Sequence, residues 1–253
     1  MGDLQWESKI TKIEPNKISI HGHPINELMG KITFSQAIYL ILKGELPNEK
    51  VGKMMDIILT ASIDHGCTPP STLAAITCAS TGAPINSALA VGILSINKFH
   101  GGAVEGMMKI LKELVGKIEA DNLNFEDTIS EFVKEKKAQK FRIPGLGHRF
   151  HTADPRTKQL FKYADELGIS GKYIKAVLEV QKVFNEISGK TLPINVDGAI
   201  AAILCELDFP IELGNLFFIM ARVPGLIAHI YEEKTLQKPM RKIHPTDHIY
   251  SGK

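Results

Sequence analysis

Apolar residues recur at three- and four-residue spacing along most of the chain. The pattern predicts helices over 34–42, 51–63, 88–98, 103–118, 125–138, 155–167, 172–187, 198–207 and 213–233. Only the N-terminal end alternates. There 8–13 and 18–20 read as short strands around the turn residues Glu14, Pro15 and Asn16. The expected fold is therefore all-α, predominantly helical, with at most a short N-terminal hairpin. The apolar stretch 213–230 is interrupted by Arg222 and Pro224, so no unbroken run reaches the ~20 residues of a membrane span. No internal repeat or low-complexity tract is evident.

Composition narrows the class without choosing a function. A chain of 253 residues buries roughly 70 to 75% of its unfolded surface, enough for one large or two modest domains. With 44% hydrophobic and 23% charged residues it reads as an ordinary soluble protein. The net charge of +2 gives no ground for a nucleic-acid partner. Cys67, Cys78 and Cys205 lack metal-ligand spacing, and their odd number suggests reduced thiols in the cytoplasm. Cys67 lies two residues from His65, which leaves a nucleophilic pair as a minor alternative. The polar start MGDLQWESK has no signal-peptide pattern, and Trp6 stands where myristoylation needs Ser or Thr. No GxxxxGK loop for ATP occurs.

Candidate chemistry gathers in four segments. GLGHRFHTADPR, Gly145 to Arg156, sets His148 in a glycine-rich turn with an arginine eight residues on. A histidine transfers protons near neutral pH, glycines let backbone N–H groups approach a ligand, and a guanidinium can grip a carboxylate bidentately. A solvated turn histidine beside a surface arginine would look the same. The second segment pairs DHG at Asp64 to Gly66 with KFHGGAVEG at Lys98 to Gly106, giving His65 and His100. In the third, INVDGAIAAIL, Asp197 interrupts an apolar run, and its plain alternative is to cap a helix starting at Gly198. The fourth, ARVPGLIAHIYEE, puts Arg222 inside another apolar run, where an ordinary buried ion pair would also account for it. The KEKKAQKFR run, Lys134 to Arg142, reads first as a solvated helix end.

In order and local context these segments resemble the citrate synthase superfamily: a histidine before a glycine pair, a GxGHxxxxxDPR loop, an NVD segment and a late buried arginine. HGHPINELMG, His21 to Gly30, and FSQAIYLILKGELP, Phe34 to Pro47, extend the resemblance over nearly the whole chain. It implies a catalytic set of His100, His148 and Asp197, substrate contacts from His65, Arg156 and Arg222, and coenzyme A contacts from Gly145, Leu146, Gly147 and Arg149. Some cations of the 134–142 run would then meet coenzyme A phosphates. It further implies a large subdomain of 1–102 plus 208–253 and a small one of 103–207, with the active site in the cleft, and at least a homodimer. No metal and no tightly bound cofactor are expected, coenzyme A entering only as part of substrate and product.

Three departures point to the lyase branch of the superfamily. Only residues 48–63 separate Pro47 from the DHG, Gly198 follows the NVD, and the tail HPTDHIY resembles the end of the cleavage module of ATP citrate lyase. The implied reaction is cleavage of (3S)-citryl-CoA to acetyl-CoA and oxaloacetate, working beside a separate citryl-CoA synthetase and without a membrane partner. Open alternatives are a shortened citrate or 2-methylcitrate synthase and, with less weight, a non-catalytic subunit that binds a CoA ester. A third cation for the substrate carboxylates falls to Arg241 or His244, with the partner subunit as one source.

Overall fold

The computed structural model describes residues 6–147, 152–241 and 249–252. It opens with an antiparallel sheet in which β1 (Thr11–Glu14) pairs with β2 (Lys17–Ile20), and β2 with β3 (His23–Pro24). Asn16, at φ 63°, makes the left-handed turn between the first two strands, a conformation Asn tolerates. The third strand adds to the expected hairpin. Two residues are too short a run for alternation to signal.

The helices follow as α1 (Ile25–Leu28), α2 (Phe34–Lys43), α3 (Glu49–Ala61), α4 (Pro70–Ser80), α5 (Ile85–Leu94) and α6 (Ala103–Ala120). After them come α7 (Phe125–Ala138), α8 (Pro155–Glu166), α9 (Lys172–Ser188), α10 (Val196–Glu206) and, behind a 3-10 turn at Ile211–Leu213, α11 (Gly214–Leu236). Local chemistry sets several starts. Thr33 and Gln36 form a capping box on α2, and the side chains of Asn48 and Asn124 cap α3 and α7.

The expected helix at 88–98 is α5, which starts three residues earlier and ends four residues earlier, at Leu94, and α4 is a helix the periodicity does not predict. Its sequence PSTLAAITCAS buries Ser71, Thr72, Ala75, Ile76, Ala79 and Ser80, so small polar and apolar residues alternate on the packed side. No apolar stripe forms that a 3.6-residue period could register.

The main core joins Met54, Met55 and Ile58 of α3 to Met107, Met108 and Leu111 of α6, Val177 and Val180 of α9, and the buried run of α10. A smaller one lies between α4, α5 and α11, around Ala75, Ala79, Ala88, Leu226 and Ile230. Helix α11 packs against α3, α4, α5 and α6. By length and mean hydropathy (1.5) the segment Ile211–Leu236 is apolar enough to cross a membrane, because the helix runs on through Arg222 and Pro224. Here Arg222, near its middle, is 2% exposed inside the fold.

Candidate active site

The glycine loop and the start of α10 are built against each other. Asn195 caps α10, its Oδ1 accepting from the N–H groups of Asp197 (3.0 Å) and Gly198 (3.2 Å) while its Nδ2 donates to Gly147 O (2.8 Å). Asn195 N–H donates to Gly145 O, and Gly147 N–H to Pro193 O. Gly145 stands at φ +77°, and a Cβ on it would lie 2.6 Å from Gly198 Cα. Only a pair of glycines permits that approach. The N–H of Gly147, expected to face a ligand, is thus already used inside the protein.

Asp197 does not cap the helix, as its alternative reading required. The helix starts at Val196, two residues earlier than predicted, so Asp197 lies in its first turn and Asn195 does the capping. Its Oδ1 is buried without a hydrogen-bond partner among the described residues. Burial pushes its pKa up to about 6; Arg156 and Arg222 pull against that rise, and Asp154 adds to it.

Each arginine is held by one edge. Arg156 donates through Nε (3.0 Å) and Nη2 (2.8 Å) to Asp154, which also caps α8. Burial would raise the Asp154 carboxyl, but Arg156 and the N–H groups of Arg156 and Val196 outweigh it and hold Asp154 below the usual range. Arg222 donates from Nε to Ser62 O (3.0 Å) and stacks 4.7 Å above the Phe218 ring centroid. Its Nη1 is buried with no partner among the described residues. The same Phe218 meets the His100 ring edge-on at 5.6 Å, and His100 Nε2 lies 2.8 Å from the hydroxyl of buried Ser71.

A cavity of about 1170 Å³ brings these groups together: His65, His100, Gly145, Leu146, Gly147, Arg156, Asp197 and Arg222 all line it. A further stretch of lining comes from Lys109, Lys117, Lys136, Phe141 and Arg142, so part of the 134–142 run faces the cavity rather than solvent alone. His148, Arg149 and His244 lie outside the described residues. Arg241 does not line the cavity, its guanidinium being paired with buried Glu233. Cys67 is exposed, and its thiol lies 3.8 Å from His229 Nδ1, while Asp64 holds the other nitrogen of that ring at 3.1 Å. The pair suggested with His65 is therefore not the one formed. Among the described residues no group of three or more His, Cys, Asp or Glu is placed to hold a metal ion.

Sequence reasoning passed over Asp154, Asn195, Ser71 and Phe218. The first two carried a signal, Asp before Pro and Asn before an apolar run being ordinary helix starts. Ser71 and Phe218 carried none, since only the packing of α4 and α11 brings them to His100.

Fold and site together define a helical protein with a cavity lined by two arginines, Arg156 and Arg222, and by a carboxyl, Asp197, whose pKa burial raises. Residues 47–246 match the family model described as "Citrate synthase, C-terminal domain". The chain belongs to the citrate synthase family. It superposes with a TM-score of 0.89 on citryl-CoA lyase from Hydrogenobacter thermophilus, at 41% identity, covering 98% of this chain and 95% of that one. It is 32% identical over 208 residues to citrate synthase of Haloferax volcanii (79% of this chain, 52% of that protein). It is 29% identical over 214 residues to ATP-citrate synthase beta chain protein 1 of Oryza sativa subsp. japonica (78% and 34%). The chain thus spans about half or less of the length of these two curated relatives.

Proposed function

We propose that the protein is a citryl-CoA lyase, cleaving (3S)-citryl-CoA to acetyl-CoA and oxaloacetate. The observation that carries this is the convergence of His100, Arg156, Asp197 and Arg222 on one cavity, with Asp197 Oδ1 and Arg222 Nη1 buried and unpartnered among the described residues. Buried polar atoms are costly unless something satisfies them. An arginine edge suits a carboxylate and a protonated carboxyl suits a carbanion, which are the two things this cleavage presents. Identity of 41% to a citryl-CoA lyase along nearly the whole chain supports the same reading.

In the proposed reaction His148 takes the proton of the tertiary hydroxyl. The carbon–carbon bond breaks as the alkoxide collapses to the ketone of oxaloacetate, and the bonding pair leaves on acetyl-CoA as its enolate. His100, steadied by Ser71 and the edge of Phe218, donates to the thioester oxygen, a contribution of roughly 3 to 4 kcal/mol. Asp197 then delivers its proton to the enolate carbon. Arg222 and Arg156 hold carboxylates of the citryl group, with His65 beside them, and the cations of the second lining stretch face the coenzyme A phosphates. The division into 1–102 plus 208–253 and 103–207 gives the cavity two walls whose closure would exclude water until the bond breaks.

Identity of 32% to a citrate synthase favours the second reading, condensation followed by hydrolysis on the same residues. Supplying citryl-CoA separates the two. Cleavage yields acetyl-CoA and oxaloacetate, read by coupling to malate dehydrogenase, with free citrate a minor product. Dominant citrate and free coenzyme A, or condensation of acetyl-CoA with oxaloacetate at about 1 s⁻¹ or faster, would make the protein a synthase.

A further inference from the structure

Asp154 is the most fully engaged side chain at the site, and no step of the reaction calls on it. Its carboxylate has no solvent exposure. Oδ1 accepts from the backbone N–H (3.0 Å) and Nε (3.0 Å) of Arg156, and Oδ2 from Arg156 Nη2 (2.8 Å) and Val196 N–H (3.1 Å). A carboxylate offers about four acceptor positions. All four are spent, three on Arg156 and one on the first residue of α10, next to Asp197 in the chain.

We propose that Asp154 is a positioning residue that locks the Arg156 guanidinium to the first turn of α10, so that the anion clamp and the proton-donating carboxyl keep one fixed separation. The bidentate pair fixes the plane of the guanidinium of Arg156, a residue that lines the cavity, and leaves Nη1 as the one nitrogen that Asp154 does not engage. The bond to Val196 N–H ties that plane to the helix that carries Asp197. Arg156 is half-buried, so without Asp154 its long side chain would be free to choose other rotamers at entropic cost to ligand binding. An amide at this position cannot substitute, because whichever way it is turned its NH₂ group meets N–H donors where the carboxylate offers an acceptor.

The proposal rests on the active-site assignment above, and the test separates the two. Oxaloacetate binding, measured by calorimetry, needs no turnover and serves lyase and synthase alike. Asp154→Asn is expected to weaken oxaloacetate at least about tenfold, in keeping with the strong effect of breaking a buried charge pair, while coenzyme A affinity is unchanged. In an Arg156→Ala background the same substitution is expected to change oxaloacetate affinity less than about twofold, because its effect passes through Arg156. In turnover of citryl-CoA, KM is expected to rise more than kcat falls. The pH limb governed by Asp197 is expected to move to lower pH, since a negative neighbour that favours its protonated form is gone. Should Asp154→Asn fail to fold, Asp154→Glu, which keeps the charge but displaces the fork by one methylene, must show the same loss confined to oxaloacetate. Unchanged oxaloacetate affinity, or a full additional loss in the Arg156→Ala background, overturns the role of Asp154. A wild-type protein that binds oxaloacetate without cleaving citryl-CoA overturns the lyase reading and leaves Asp154 in place, whereas one that does not bind oxaloacetate overturns both.

Discussion

Asp197 works against its own solvation. Its Oδ1 is buried without a partner among the described residues, and burial lifts its pKa from an ordinary 3.8 to about 6 although two arginines oppose the rise. The consequence for stability has a definite sign. Below about pH 4 the carboxyl is neutral in both folded and unfolded chains and adds no cost of charge burial; as pH rises through about 6 the folded protein must carry a poorly solvated charge. The gap corresponds to up to about 3 kcal/mol of stability lost on the alkaline side. Asp197→Asn is therefore expected to melt above the wild type at about pH 8, with the difference closing as pH falls from about 6 towards about 4, and to lose at least ~10²-fold in cleavage. A melting difference that ignores pH, or a variant keeping a tenth of wild-type turnover, removes Asp197 from this role. The residue itself was legible in the sequence as a lone carboxylate in an apolar run. Its alternative as a cap was settled by Asn195, two positions earlier, which the fold sets against Gly147 O as well as the helix N–H groups.

At the scale of elements, the site depends on the glycine loop and α10 meeting backbone to backbone. A Cβ on Gly198 would lie 2.6 Å from Gly145 O, the carbonyl that accepts from Asn195 N–H. Gly198→Ala must push the loop and the helix start apart, at about 1 to 3 kcal/mol for overpacking a tight contact. The expected outcome is a lower denaturant midpoint together with weaker citryl-CoA turnover, because Asp197, Asn195 and the loop shift together. Unchanged turnover would mean that loop and helix do not position the chemistry. Strongly amphipathic elements such as α6 and α9 were readable from periodicity, since each buries one face. Helix α4 was not, because the face it buries is built largely from Ser, Thr and Ala while its Leu73 is exposed, so no apolar stripe marks that face, and it is this helix that supplies Ser71 to His100.

At the scale of the whole molecule, α5 is apolar but for Asn86 and Ser87 yet buries only Ala88 and Gly92. Ile85 (43%), Val91 (36%) and Leu94 (75%) stay exposed on it, and a second copy of the chain is the covering we expect. Light scattering is expected to give at least twice the chain mass of 27.9 kDa, and Leu94→Lys to shift the protein towards single chains; a wild-type monomer would refute the assembly. What the sequence determined by itself was the helical class, the candidate residues His65, His100, Arg156, Asp197 and Arg222, and the family resemblance, because residue type, periodicity and motif order are read directly along a chain. Tertiary structure decided the rest: that these residues line one cavity, that Asp154 occupies one edge of Arg156, that Arg241 is taken by Glu233, and that Cys67 faces His229 instead of His65. Those are contacts between segments distant in the chain or side-chain directions within a turn. They follow from how α4, α8, α10 and α11 pack, which no local pattern records.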